Sequence, residues 1–269
     1  AQQRAEMLRT TLDQMLDAYR QMQMLASILG VPEKALALEI DGKPLTLSLV
    51  SVKRTRGALG SFSAGPEGRV VSLPGRSNSF AHEWGHALDH WLTSAAGRDP
   101  GFLSRLMDKQ GLPRPLSPKA AVVEAYAGIM RALYGDHAQI SSLILRLQTE
   151  ATQIGADGKP TPQAVRAQRL MHDLRAGKRV PDAYLSTYFK SSADYDKATA
   201  AGGYFTDPAE MFARAFEAWA GATVATISPD LPQAFLSKGF GYENDVDPRL
   251  RMTFPKGADA ARFAVAMGE

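Results

Sequence analysis

The stretch Ser79 to Gly97, SFAHEWGHALDHWLTSAAG, decides how this chain is read. Its apolar residues recur at helical steps, Asn78 or Ser79 can cap its start, and Gly97 with Pro100 beyond can stop it. The spacing predicts one helix over 79–96. Inside it, His82-Glu83-Trp84-Gly85-His86 is an H-E-x-x-H motif, and residues four apart on a helix share a face. Both imidazoles can therefore reach one zinc ion. Glu83, one position after the first histidine, stands beside that metal without ligating it and can act as general base. Three of the five histidines fall between positions 82 and 90, and a chance H-E-x-x-H in a chain of this composition is expected only about 0.004 times. His90 is more than two turns along from His82, too far for the same ion, and reads as a surface or supporting residue. Asp89 is a candidate to orient a ligand imidazole.

Two histidines do not complete a catalytic zinc site, which usually takes three protein ligands and a water. His137 and His172 have no supporting context. Glu210 and Glu217 do, because they lie seven residues apart on one face of DPAEMFARAFEAW. Asp207 at the N-cap would also put Glu210 at the third helical position, where a capping box accounts for it equally well. Local spacing leaves cap and ligand open. Trp84, Trp91 and Trp219 read as packing residues.

Outward from this helix, the 269 residues are 45% hydrophobic and 22% charged, as an ordinary folded chain is. With no cysteine, disulfides, thiolate catalysis and sulfur-ligated zinc are excluded, so a metal must use His, Asp or Glu. The formal net charge of +3 is too small to imply a nucleic-acid partner. The clusters Lys53, Arg54, Arg56 and Arg175, Lys178, Arg179 leave room only for weak nucleic-acid contact. No apolar run approaches 18 residues and AQQRAEMLRT has no signal core, so no membrane span is expected and the chain reads as part of a larger polypeptide.

Residues 1–30 read as an amphipathic helix with a stripe of Leu8, Leu12, Met15, Tyr19, Met22 and Leu29. Between 35 and 73, ALALEI, LTLSLV, GALGSFS and RVVSL read as strands broken by Asp41-Gly42 and Gly65-Pro66. Residues 101–200 read as helical, with helices opened by Ser117-Pro118, over Ile140–Ala151 and over Pro162–Ala176. A further helix opens at Asp207-Pro208 and is expected to end at Gly221, ahead of a loop-rich tail carrying Pro229, Pro232, Pro248 and Pro255. The fold class is α+β, with a small N-terminal sheet, an active-site helix and a largely helical second half.

The paired blocks HEWGHALDHW and YFTDPAEMFARAFEAW resemble the zincin-type metallopeptidase domains of large polyvalent proteins of phages and conjugative plasmids. They are also similar to the catalytic domain of anthrax lethal factor. The resemblance implies zinc held by His82, His86 and Glu210, the Glu that opens the E-x-F-A-x-A-F block. It implies that Tyr204 lies near the metal and assists catalysis, although Tyr204 stands one residue nearer the Glu than in lethal factor. Arg214 departs from the family, which carries an acidic residue there. The resemblance implies a gluzincin-like domain over 31–269 with a helical insertion at about 101–200, acting as a zinc-dependent endopeptidase on a polypeptide substrate. It would act in the cytoplasm, or after delivery into a host or recipient cell as part of a larger protein. The competing expectation is a non-catalytic nucleic-acid-binding or protein-interaction module on the same scaffold.

Overall fold

A computed structural model describes residues 2–49, 60–66, 68–73, 79–97, 101–106, 120–135, 137–175, 185–230 and 250–268. The chain begins with helix α1 (Gln2–Leu29), followed by strands β1 (Thr46–Ser48), β2 (Ser61–Gly65) and β3 (Gly68–Ser72). Helices α2 (Phe80–Ala95), α3 (Leu103–Leu106), α4 (Ala120–Tyr134), α5 (His137–Ala151) and α6 (Pro162–Arg175) come next. The described part ends with α7 (Thr187–Thr199), α8 (Pro208–Ile227) and α9 (Gly257–Gly268). The small sheet and the helical second half match the α+β expectation.

The sheet order is β1-β3-β2, with β1 parallel and β2 antiparallel to β3. Val71 of β3 is 1% exposed and belongs to the same core as Phe80, Ala81 and Trp84 of α2 and Met211, Phe212 and Phe216 of α8. Helix α2 lies directly on α8, and Gly85 makes this possible. A Cβ at position 85 would meet Ala213 Cα at 3.3 Å and Phe216 Cδ1 at 3.4 Å, so any larger residue would press the two helices apart by a few tenths of an ångström. Helices α5 and α6 form a separate hairpin around Leu143, Leu147 and Ala167.

Three expectations are corrected. ALALEI is not a strand: Glu33–Ala37 is a 3-10 turn closed by Leu38 at φ 44°. Its carbonyls are taken from the side by helix α2, with Trp84 Nε1 donating to Leu36 O and Trp91 Nε1 to Glu39 O, each at 3.0 Å. Long-range indole donors have replaced a neighbouring strand. Helix α8 does not stop at Gly221 but runs on to Ile227, because burial of Gly221 and Val224 against the core offsets the roughly 1 kcal/mol a helical glycine costs. The tail is less irregular than its prolines suggest. Helix α9 seats Phe263 in the core at 1% exposure, and its Asp259 accepts the Tyr188 N–H at 2.8 Å.

The stripe of α1 is covered only at its end. Of that stripe Met22 and Leu29 pack partly against the core beside the buried Ala18, Gln21, Leu25 and Ala26, whereas Leu8, Leu12, Met15 and Tyr19 are exposed. No described helix is long and apolar enough to cross a membrane. Ser117-Pro118 and the cluster Lys53, Arg54, Arg56 lie outside the described residues, as do the side chains of Arg175, Lys178, Arg179, His137 and His172.

Candidate metal centre

Ser79 holds the N-cap position of helix α2 as expected but its side chain makes no capping hydrogen bond, and the first two turns carry His82, Glu83 and His86 towards α8. The His82 and His86 rings lie edge to face, 4.8 Å apart. Glu210 approaches them from α8. His82 Nε2 is 3.5 Å from Glu210 Oε1 and His86 Nε2 is 3.4 Å from Glu210 Oε2. The three side chains offer ligand atoms all within 4.8 Å of one another, so this His-His-Glu group could hold a metal ion. The donors fit: two ligands bound to one tetrahedral ion at about 2.1 Å stand about 3.4 Å apart.

The Glu210 carboxylate points at the two histidines and not at the helix cap. Asp207 is the N-cap of α8 and accepts from Ala209 N at 3.0 Å, but its own N–H donates to Tyr204 O at 3.3 Å. The reciprocal half of a capping box is therefore not made. Glu210 is 4% exposed and turned inward. Glu217, two turns further, meets the other nitrogen of His82, with Nδ1 to Oε2 at 3.2 Å. A carboxylate at Nδ1 fixes the ring's orientation and leaves Nε2 facing Glu210. His86 differs, because its buried Nδ1 has no hydrogen-bond partner among the described residues.

Asp89 does not orient an imidazole. Its carboxylate accepts Ser104 N at 2.9 Å and Ser104 Oγ at 2.5 Å, which ties α2 to α3. Burial pushes its carboxyl up to about 6, although both Ser104 hydrogen bonds pull the other way. His90 is buried rather than on the surface, at 7% exposure, with its ring edge-on to Phe62 and Phe102.

Electrostatics separate the acidic groups. Glu83 is 6% exposed, and burial drives its carboxyl up to about 7 against the opposing pull of His82, while Glu210 and Glu217 add repulsion. The Phe62 backbone N–H donates to it from β2. Gly60, just before β2, is a close approach: a Cβ there would lie 2.7 Å from Ser79 Oγ, 2.8 Å from Glu83 Cγ and 2.9 Å from Glu83 Oε1. Glu210 goes the other way. Burial alone would raise its carboxyl, but His86, His82 and Arg214 outweigh that and hold it well below the usual carboxylate range. On His82 burial opposes the charge, yet the Glu217 hydrogen bond with Glu210 and Glu83 lifts the imidazole to about 9. Metal binding must then displace a proton.

Arg214 is the residue that sequence reasoning left without a role. It is 7% exposed, and its Nε donates to Glu210 Oε1 at 2.8 Å. Its Nη1 donates to Thr253 Oγ1 at 2.5 Å, and its guanidinium carbon lies 4.1 Å from the Phe205 ring centroid. Arg214 thus holds Glu210 ionised and aimed. Its i, i+4 spacing from Glu210 was the available signal. Tyr204 is half-exposed, with its hydroxyl on Glu210 and Arg214, and burial with the Glu210 charge raises that hydroxyl above its ordinary range. The loop carrying it is clamped by Asp196, whose carboxylate accepts Phe205 N, Thr206 N and Thr206 Oγ1 at 2.8 to 2.9 Å.

No curated protein and no solved structure matches this chain. The C-terminal segment, residues 196–269, which carries Tyr204, Glu210, Arg214 and Glu217, matches the family model described as Large polyvalent protein-associated domain 1.

Proposed function

We propose that this chain is a zinc-dependent endopeptidase of zincin type, gluzincin-like in taking Glu210 as third ligand beside His82 and His86. The observation that carries the reading is Glu83. It stands against the His-His-Glu group without belonging to it, buried, with its carboxyl raised to about 7. A metal site with a purely structural role has no use for such a group, whereas hydrolysis needs a base and acid matched to neutral pH. Zinc, when bound, supplies Lewis acidity towards the scissile carbonyl and the attacking water. Glu83 takes the proton of that water and later gives it to the leaving amine. Tyr204 donates its hydroxyl to the oxyanion that develops on the carbonyl. Glu217 holds the His82 ring by Nδ1 and Arg214 keeps Glu210 anionic, so the ligand set is pre-oriented. The substrate is a polypeptide, met in the cytoplasm or in a host or recipient cell as part of a larger polyvalent protein.

The test combines elemental analysis with cleavage of a randomised peptide pool read by mass spectrometry. One zinc per chain is expected, and the His82→Ala, His86→Ala double variant should lose it. Glu83→Gln should keep zinc and lose roughly 100-fold or more in turnover. Near-parental turnover in that variant, or full zinc content in the double variant, would overturn the reading.

A further inference from the structure

The β2–β3 hairpin, α2 and α3 enclose a cavity of about 820 Å³ beside the metal-ligand cluster. Two aromatic residues form the boundary between them. Phe62 lines the cavity while its backbone N–H serves Glu83, and the Phe102 ring lines it 5.9 Å from the ring of His86. A side chain entering here would belong to a peptide whose backbone lies at Glu83.

The cavity wall also holds a buried cation that pairs with no carboxylate among the described residues. Arg69 is 6% exposed, and its Nη2 donates to Lys43 O at 2.9 Å. Its Nη1 is buried without a hydrogen-bond partner, and among the described residues no carboxylate is paired with it. Asp41 shares the cavity wall, and burial lowers the Arg69 guanidinium. His90 lines the same cavity, and its buried Nδ1 also lacks a partner among the described residues. Buried guanidinium groups are ordinarily paired, and their planar fork matches a carboxylate. Lys43 and Arg105 add positive charge to the lining, although Arg105 is already held by Asp207. Phe62 and Phe102 offer apolar walls to a hydrocarbon stem. A carboxylate on a short apolar stem fits both features, and that is the side chain of Glu or Asp.

We propose that this cavity is a specificity pocket of the peptidase that takes an acidic side chain of the substrate, its carboxylate engaging Arg69 and His90. The inference rests on the peptidase reading and names its substrate class: polypeptides acidic next to the cleaved bond.

The test uses two end-capped peptide pools, randomised except for one position fixed as Glu in the first and Gln in the second, offered to the zinc-loaded chain. The Glu pool should be cleaved about tenfold faster, as expected when a charge-assisted hydrogen bond is added. Mass spectra should place the fixed Glu at one constant position relative to the cut. In Arg69→Gln the ratio of Glu-pool to Gln-pool cleavage should fall to about one, and in Arg69→Lys it should lie between, since charge survives without the fork. Equal cleavage of both pools by the parent overturns the pocket without needing any variant, and so does a ratio unchanged in a folded, zinc-replete Arg69→Gln. If the parent cleaves neither pool, the peptidase reading fails, and binding of the labelled pools by fluorescence anisotropy then decides the pocket. Tighter binding of the Glu pool by about tenfold supports it, and equal binding overturns it.

Discussion

Replacing Glu210 with Gln tests the centre most directly, because this carboxylate touches three cationic or ligating groups at once. It stands 3.5 Å from His82 Nε2, 3.4 Å from His86 Nε2 and 2.8 Å from Arg214 Nε, at 4% exposure. The neutral amide keeps the volume and removes the charge. Two losses are expected. The metal loses its anionic ligand, and since removing a residue that merely orients a ligand costs about 10- to 100-fold in affinity, Glu210→Gln should exceed about 100-fold. Arg214 also loses the carboxylate beside it at 7% exposure, and breaking a buried pair from one side costs about 3 kcal/mol or more, whereas a role limited to capping predicts about 1 kcal/mol or less. Glu217→Gln should fall in the 10- to 100-fold range for metal, since the amide oxygen can still accept from His82 Nδ1. Competition for zinc against a chromophoric chelator measures the affinities, and urea unfolding of the metal-free chains measures the stabilities. Zinc affinity that survives in Glu210→Gln and collapses in Glu217→Gln would refute the assignment while leaving His82, His86 and Glu83 in place.

Three further outcomes are expected. Tyr204→Phe should lower kcat by roughly 100-fold, the scale of one lost oxyanion donor, with KM and zinc content little changed; an unaltered kcat returns Tyr204 to a packing role. The Asp89 carboxyl is raised by burial to about 6 in the fold, so the fold binds its proton more tightly than the unfolded chain does. Its contribution to stability is thus full below about pH 4 and declines by about 3 kcal/mol as pH rises to about 6. Asp89→Asn should remove that dependence, and a parent-minus-variant difference that stays constant from pH 4 to 7 in chemical denaturation would contradict it. Gly60→Ala should push Ser79 and Glu83 aside, reducing turnover while zinc content stays near the parent's, because the crowded atoms belong to those two side chains and not to His82, His86 or Glu210. Undiminished turnover would mean that the placement of Glu83 by this backbone is unimportant.

What could be read from the sequence was local in origin. The 3.6-residue period puts His82 and His86 on one face and Glu83 next to it, whatever the rest of the chain does, and Gly97 at φ 71° stops that helix by backbone preference. The same rule put Glu210 and Glu217 on one face of α8, and both do meet His82. Which of them faces both histidines depends on how α8 crosses α2, where Gly85 packs close to Ala213 and Phe216. No spacing within α8 contains it. The failures have the same cause. ALALEI has strand-like alternation, but the indoles of Trp84 and Trp91 claim its carbonyls, and Gly221 reads as a stop that burial overrides. Arg214 stood out in the sequence only as a departure from the family that the paired blocks resemble. Folding buries it against Phe205 and Thr253 and so makes it the partner of Glu210. Helical periodicity, a property of neighbours, was enough to put His82, His86 and the two glutamates on their faces. Which acid stands against both histidines, which acid rests near neutrality and which buried guanidinium has no carboxylate paired with it among the described residues follow from burial and from distances between residues far apart in the chain, which folding sets.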